Sequence, residues 1–159
     1  MSTTDELFLL VHVLAGFWYV AGLTSVQLTM VRGWKSTDIK IKAESFDEAS
    51  HYQGTLLVPG GIAVLATGLF LWGQLGYNLL GPAWLLLLNG VYTLSLVVCL
   101  PLIGIGLRRA RVAALMAERR GQSSPDLDEA MADTVPLIFG GIATMLIPVG
   151  VALSIFRPF

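Results

Sequence analysis

Cysteine, histidine and charge are all scarce in this chain of 159 residues. The one cysteine, Cys99, lies in an apolar run, so no intramolecular disulfide can form and no cysteine pair can hold a metal. Charged residues make up 13% of the chain, where a soluble domain carries about 25%. Ten Lys and Arg against 11 Asp and Glu leave a net charge of -1, which excludes the basic footprint of a nucleic-acid binder. HExxH, the phosphate-binding P-loop and the GxSxG elbow are absent, and with them the chemistries those motifs carry. No carboxylate or lysine falls inside the long apolar runs, so the usual core of a proton relay or ion-coupled transporter is missing.

What is present is apolar length. Hydrophobic residues make up 55% of the chain and the mean hydropathy is +0.72. The charges crowd into two segments and leave four uncharged runs: Leu7 to Val31, Tyr52 to Tyr77, Ala83 to Leu107 and Thr134 to Phe156. Each is long enough to cross a hydrocarbon core of about 30 Å as helix. None alternates with period two, which disfavours a β-barrel. The expectation is a single transmembrane domain over 1–159, an all-α polytopic four-helix bundle. The first run is expected to be a retained span, since no basic n-region precedes it and it outlasts a signal-peptide h-region.

Charge asymmetry orients the bundle. Arg32, Lys35, Lys40, Lys42, Arg108, Arg109, Arg111, Arg119 and Arg120 lie in the first and third connections, and only Arg157 lies on the other side. The positive-inside rule places the cationic connections in the cytoplasm and both termini outside, in a bacterial inner plasma membrane. Leu107 to Arg120 reads as a cytoplasmic helical extension of the third span, with its arginines toward water or anionic headgroups. Gly76 to Pro82 reads as a short outer turn. Trp72, Tyr77 and Trp84 are expected in an outer aromatic belt, and Trp18, which lies deeper, within the bundle.

Gly60-Gly61-Ile62-Ala63 recurs 80 residues later as Gly140-Gly141-Ile142-Ala143. That offset is compatible with two parallel helical-hairpin repeats, but chance agreement is the favoured reading, since small residues are common in spans. Their packing role is independent of ancestry. Lipid supplies no hydrophobic drive between helices, so glycine faces that let backbones approach hold spans together. Pro59, Pro101, Pro136 and Pro148 interrupt backbone ladders and are expected to bend their helices.

Polar side chains within the spans are few. His12 lies a turn or so below the outer surface, and Asn89, Tyr92 and Thr67 are expected at similar levels. Such a cluster is a candidate cofactor or ligand contact, with His12 a candidate haem axial ligand; the favoured explanation is a histidine hydrogen-bonded between helices or reaching the interface. His51, the other histidine, belongs to the opposite membrane face. The two histidines therefore cannot clamp one haem iron together.

Two resemblances follow from these residues. His12-Val13-Leu14, Tyr19, Ala21 and Gly22-Leu23 resemble the first helix of an uncharacterised family of four-helix predicted integral membrane proteins. Pro59, Thr67-Gly68-Leu69-Phe70-Leu71-Trp72 and the closing Phe156-Arg157-Pro158-Phe159 are similar to later parts of that family. The architecture also resembles the bacterial four-helix protoporphyrinogen oxidase at Ala21-Gly22-Leu23, Val135-Pro136 and Arg157-Pro158-Phe159. That likeness implies haem b and a functional His12. Gln27, Thr134 and Asn89 depart from it, standing where the oxidase has charged residues, so fold kinship is expected without oxidase activity.

Function on this reading divides two ways. The first is a non-enzymatic accessory or assembly subunit, partnered by lipid and by other membrane subunits or further copies of itself. The second is a haem- or tetrapyrrole-binding redox protein using His12. A transporter on parallel repeats is weaker, because four helices leave little room for a path.

Overall fold

The computed structural model describes residues 3–74 and 82–156, and every regular element among them is helical. The helices are α1 (Thr3–Lys35), α2 (Ile39–Gln74), α3 (Ala83–Arg120), α4 (Pro125–Ala132) and α5 (Val135–Phe156). Four stretches, α1, α2, α3 and the unit ending in α5, are long and apolar enough to cross a membrane. α1 has 33 residues, α2 36 and α3 38. At 1.5 Å per residue they run from about 50 to about 57 Å, well beyond a hydrocarbon core of about 30 Å. In α2 and α3 the excess lies at the cation-rich end.

At that end the first connection is mostly helix. Only Ser36 to Asp38 separates α1 from α2, and the Asp38 carboxylate caps α2 by accepting from the Lys40 amide at 2.8 Å. Read as a sequence, 39–51 is a mixed-charge linker. Its apolar residues are sparse but correctly spaced: Ala43, Phe46 and Ala49 are buried on one stripe. α3 answers with Ala110, Ala113, Ala114 and Ala117, whose small side chains let α2 approach. Phe46 fills the centre, against Gly33 and edge-on to Trp34, with ring centroids 4.9 Å apart. The Trp34 indole donates to the Met131 carbonyl at 3.1 Å and ties α4 down. Gly121 ends α3 at φ 68, and Ser124 caps α4.

The opposite end is looser. Ala83–Thr93, the first part of α3, buries no side chain, and it packs chiefly on α5. Trp18, expected inside the bundle, is 43% exposed. The buried stripe of α1 is Ala15, Tyr19, Gly22, Leu23, Val26 and Met30. Trp18 falls beside it, where close backbone approach leaves no room for an indole. Trp72 and Trp84 are half-buried near this end, while Tyr77, most of the turn from Gly76, and Arg157 to Phe159 lie outside the described residues.

Two prolines act through π-type turns. Gln53–Leu57 in α2 precedes Pro59, and Leu94–Cys99 in α3 precedes Pro101. A proline has no amide for the carbonyl four residues back, here Thr55 and Val97, and its ring crowds that carbonyl; a widened turn relieves both. Pro136 lies in the first turn of α5 against Gly106, and Pro148 lies inside α5. The two Gly-Gly pairs meet different neighbours: Gly60 meets the α1 backbone, Gly140 the side chain of Gln27.

Candidate functional site

The polar side chains within the spans are arranged by the crossing of α1 and α2. A Cβ added at Gly22 would meet the Leu57 backbone nitrogen at 2.6 Å, and one at Gly60 the Tyr19 nitrogen at 2.8 Å. The two backbones are therefore in contact along this crossing. Toward the N-terminal end of α1, Phe8 and Phe70 stack with centroids 3.8 Å apart.

His12 sits in this same seam. Its Nδ1 lies 2.8 Å from the Thr67 hydroxyl, and a Cβ on Gly68 would stand 3.2 Å from its Cε1. Thr67 gives its own proton to the Ala63 carbonyl at 2.6 Å. The hydroxyl therefore accepts from the imidazole, which assigns the proton to Nδ1 from the hydrogen-bond network. Nε2 then carries the lone pair in the neutral ring, and no described residue forms a hydrogen bond to it.

Tyr92 does not join His12. Its hydroxyl donates to the Gly61 carbonyl, and its ring lies 6.4 Å from that of Tyr19. The Tyr19 hydroxyl in turn meets the Ser95 hydroxyl at 2.7 Å in a buried contact. Tyr19 is seven residues further along α1 than His12, about 10 Å deeper. The described residues thus form two separate polar sets, His12–Thr67 toward the N-terminal end of α1 and Tyr92–Gly61 with Tyr19–Ser95 closer to its middle. Asn89 joins neither. It lies exposed on α3, and no hydrogen bond to its amide is formed by the described residues. Tyr19 and Ser95 were not singled out from sequence as site residues. The signal available was their helical register with Gly22 and Cys99 on buried stripes.

His51 lies at the cation-rich end, its ring 6.2 Å from that of Tyr52, whose hydroxyl donates to Glu48 at 2.7 Å. Gln27 is wedged over Gly140, with its amide nitrogen 3.4 Å from the Leu137 carbonyl and its buried Oε1 unpartnered. No group of three or more His, Cys, Asp or Glu is placed to hold a metal among the described residues.

A porphyrin does not fit between α1 and α2 at His12. The ring of His12 is itself the spacer there, wedged against Gly68, and the Phe8–Phe70 stack closes the seam above it.

Residues 6–158 match the family model described as predicted integral membrane protein (DUF2269). The chain belongs to that family. No curated protein and no solved structure matches it, so the resemblance to protoporphyrinogen oxidase finds no support in these comparisons. As a DUF2269 protein with four membrane-capable helices, the chain is an integral membrane protein.

Proposed function

We propose that this DUF2269 protein is a non-enzymatic subunit that assembles, through the outer half of α3, with another membrane subunit or a further copy of itself. The bundle would sit in a plasma membrane with both termini outside, as the distribution of Lys and Arg favours. The observation that carries the reading is Asn89. Leu86, Asn89, Gly90, Thr93 and Val97 follow helical spacing on one exposed face of α3, and a Cβ added at Gly90 would meet nothing. In hydrocarbon a primary amide without a partner costs several kcal/mol at the alkane limit of about 4–8. A second helix on this face supplies both a partner for the amide and a surface for Gly90 to receive. Asn-mediated contacts of this kind contribute about 0.6–2 kcal/mol in membranes.

The experiment is native mass spectrometry of the protein extracted from its own membranes in mild detergent, beside Asn89→Leu. Assembly that Asn89→Leu shifts toward the single chain is the expected result. A wild-type protein that runs only as a monomer would overturn the reading.

A second reading, a haem- or tetrapyrrole-binding protein using His12, rests on one observation. Nδ1 is committed to Thr67 and leaves Nε2 with a free lone pair, the arrangement a liganding histidine adopts. Because the α1–α2 seam is closed, the macrocycle would have to lie outside that seam. A reduced-minus-oxidised absorption spectrum separates the two: no Soret band, or one unchanged in His12→Ala, removes this reading.

A further inference from the structure

Between α2 and α3, at the cation-rich end, runs a groove of about 750 Å³ that belongs to neither polar set described above. Its two ends differ in chemistry. At one, Ser50 and Gln53 from α2 face Arg108 and Arg111 from α3, each pair spaced three residues apart on its helix. At the other, Val58 and Ile62 face Leu96 and Leu100. Gly104 lies between, so the floor carries no side chain at that point, and the Gln53 amide nitrogen lies over it.

The two arginines are not equivalent. Arg111 already pairs with Asp47 at 2.7 Å. Arg108 is exposed, and no ion pair or hydrogen bond to it is formed by the described residues. The groove head therefore carries one uncompensated cation beside hydroxyl and amide donors. The dimension fits a single leaflet. From Arg108 to Leu96 is 12 residues of helix, about 18 Å, close to half of a hydrocarbon core of about 30 Å. Both π-type turns contribute lining residues, Gln53 from one and Leu96 from the other. Such turns recur at functional sites because they re-aim side chains.

We infer that this groove is a binding site for one anionic phospholipid from the leaflet on the cation-rich side, with its phosphate at Arg108 and an acyl chain along Ile62 and Leu100. A cation within the headgroup layer favours an anionic over a zwitterionic lipid, and an apolar channel one leaflet deep suits an acyl chain where a spanning helix would be too long. The inference is independent of the assembly reading, which concerns the other end of α3.

The test is native mass spectrometry of the full chain, delipidated and then titrated with phosphatidylglycerol or phosphatidylcholine in detergent. One phosphatidylglycerol is expected to bind more tightly than phosphatidylcholine. Arg108→Gln should weaken the former by about fivefold and the latter by less, because the choline cation already offsets the phosphate charge that Arg108 meets. Ile62→Trp, at an exposed position that tolerates bulk, should weaken both by filling the apolar end. Arg119→Gln with Arg120→Gln removes two exposed cations outside the groove and should change neither. Equal binding of the two lipids by the wild type would overturn the inference. So would an Arg119/Arg120 variant that loses as much as Arg108→Gln, since that would mark diffuse attraction. Displacement of the lipid by inorganic phosphate at similar concentration would also overturn it, because the acyl groove would then contribute nothing.

Discussion

Gly60 lies so close to Tyr19 that a single added carbon would stand 2.8 Å from the Tyr19 backbone nitrogen and 2.9 Å from its Cα. Backbone cannot swing aside as a flexible side chain can, so the whole of α2 would have to move. Gly60→Ala is therefore expected to destabilise the protein by about 1–3 kcal/mol, the range for overpacking. Gly16→Ala on α1 is the control. Nothing lies within 4 Å of its added Cβ, and removing glycine from a helix interior gains about 0.5–1 kcal/mol. Thermal unfolding in one detergent compares the two. Equal stability of both variants would show that α1 and α2 do not touch as described.

The Tyr19–Ser95 contact joins α1 to α3 and is buried. A double-mutant cycle of Tyr19→Phe and Ser95→Ala isolates it. Coupling of about 0.6 kcal/mol is expected, with about 1.7 as the upper bound for hydrogen bonds within membranes. Full additivity of the two single variants would mean that the two hydroxyls do not meet.

How much of this was legible in the sequence differs by region, for physical reasons. The spans were legible because hydrocarbon demands about 20 apolar residues in a row, and composition alone satisfies or fails that demand. The helical nature of 39–51 was not, because Phe46 and two alanines are a thin stripe among Lys, Glu and Asp, and only the alanine face of α3 makes it a core. The seating of Trp18 was misjudged for a related reason. Depth along a helix can be counted from sequence, but the face that touches a neighbour is set by where glycines permit contact, here Gly22 and Gly60. His12 and Thr67 come together through that contact, while Tyr92, at a similar count along its span, reaches Gly61 instead. A register along one helix does not fix its rotation against another.

Gly121 is the one described glycine with positive φ, at 68°. It lets α3 stop and the chain turn toward Ser124. Gly121→Ala places a Cβ in the left-handed region and is expected to cost about 1–2 kcal/mol. Because its added Cβ would touch nothing, the loss would come from backbone strain alone. Hydrogen exchange should show it as faster opening at the end of α3 and in α4. Unaltered exchange there would argue against a left-handed cap.

Orientation rests on where nine of the 10 Lys and Arg lie, and it can be read with single cysteines. Cys99 is fully buried and can be replaced by alanine to give a silent background. Thr4→Cys and Gln122→Cys then place thiols at exposed positions at the two ends of the bundle. With cationic connections held at the inner face, an impermeant maleimide should label Thr4→Cys in intact spheroplasts and Gln122→Cys only after permeabilisation. The reverse pattern would invert the bundle and move the groove at Arg108 to the outer leaflet. Labelling of both from outside would leave an even number of crossings between Thr4 and Gln122 and so contradict three spans in α1, α2 and α3. Only the reverse pattern would separate the fold, which would stand, from the direction assigned to it.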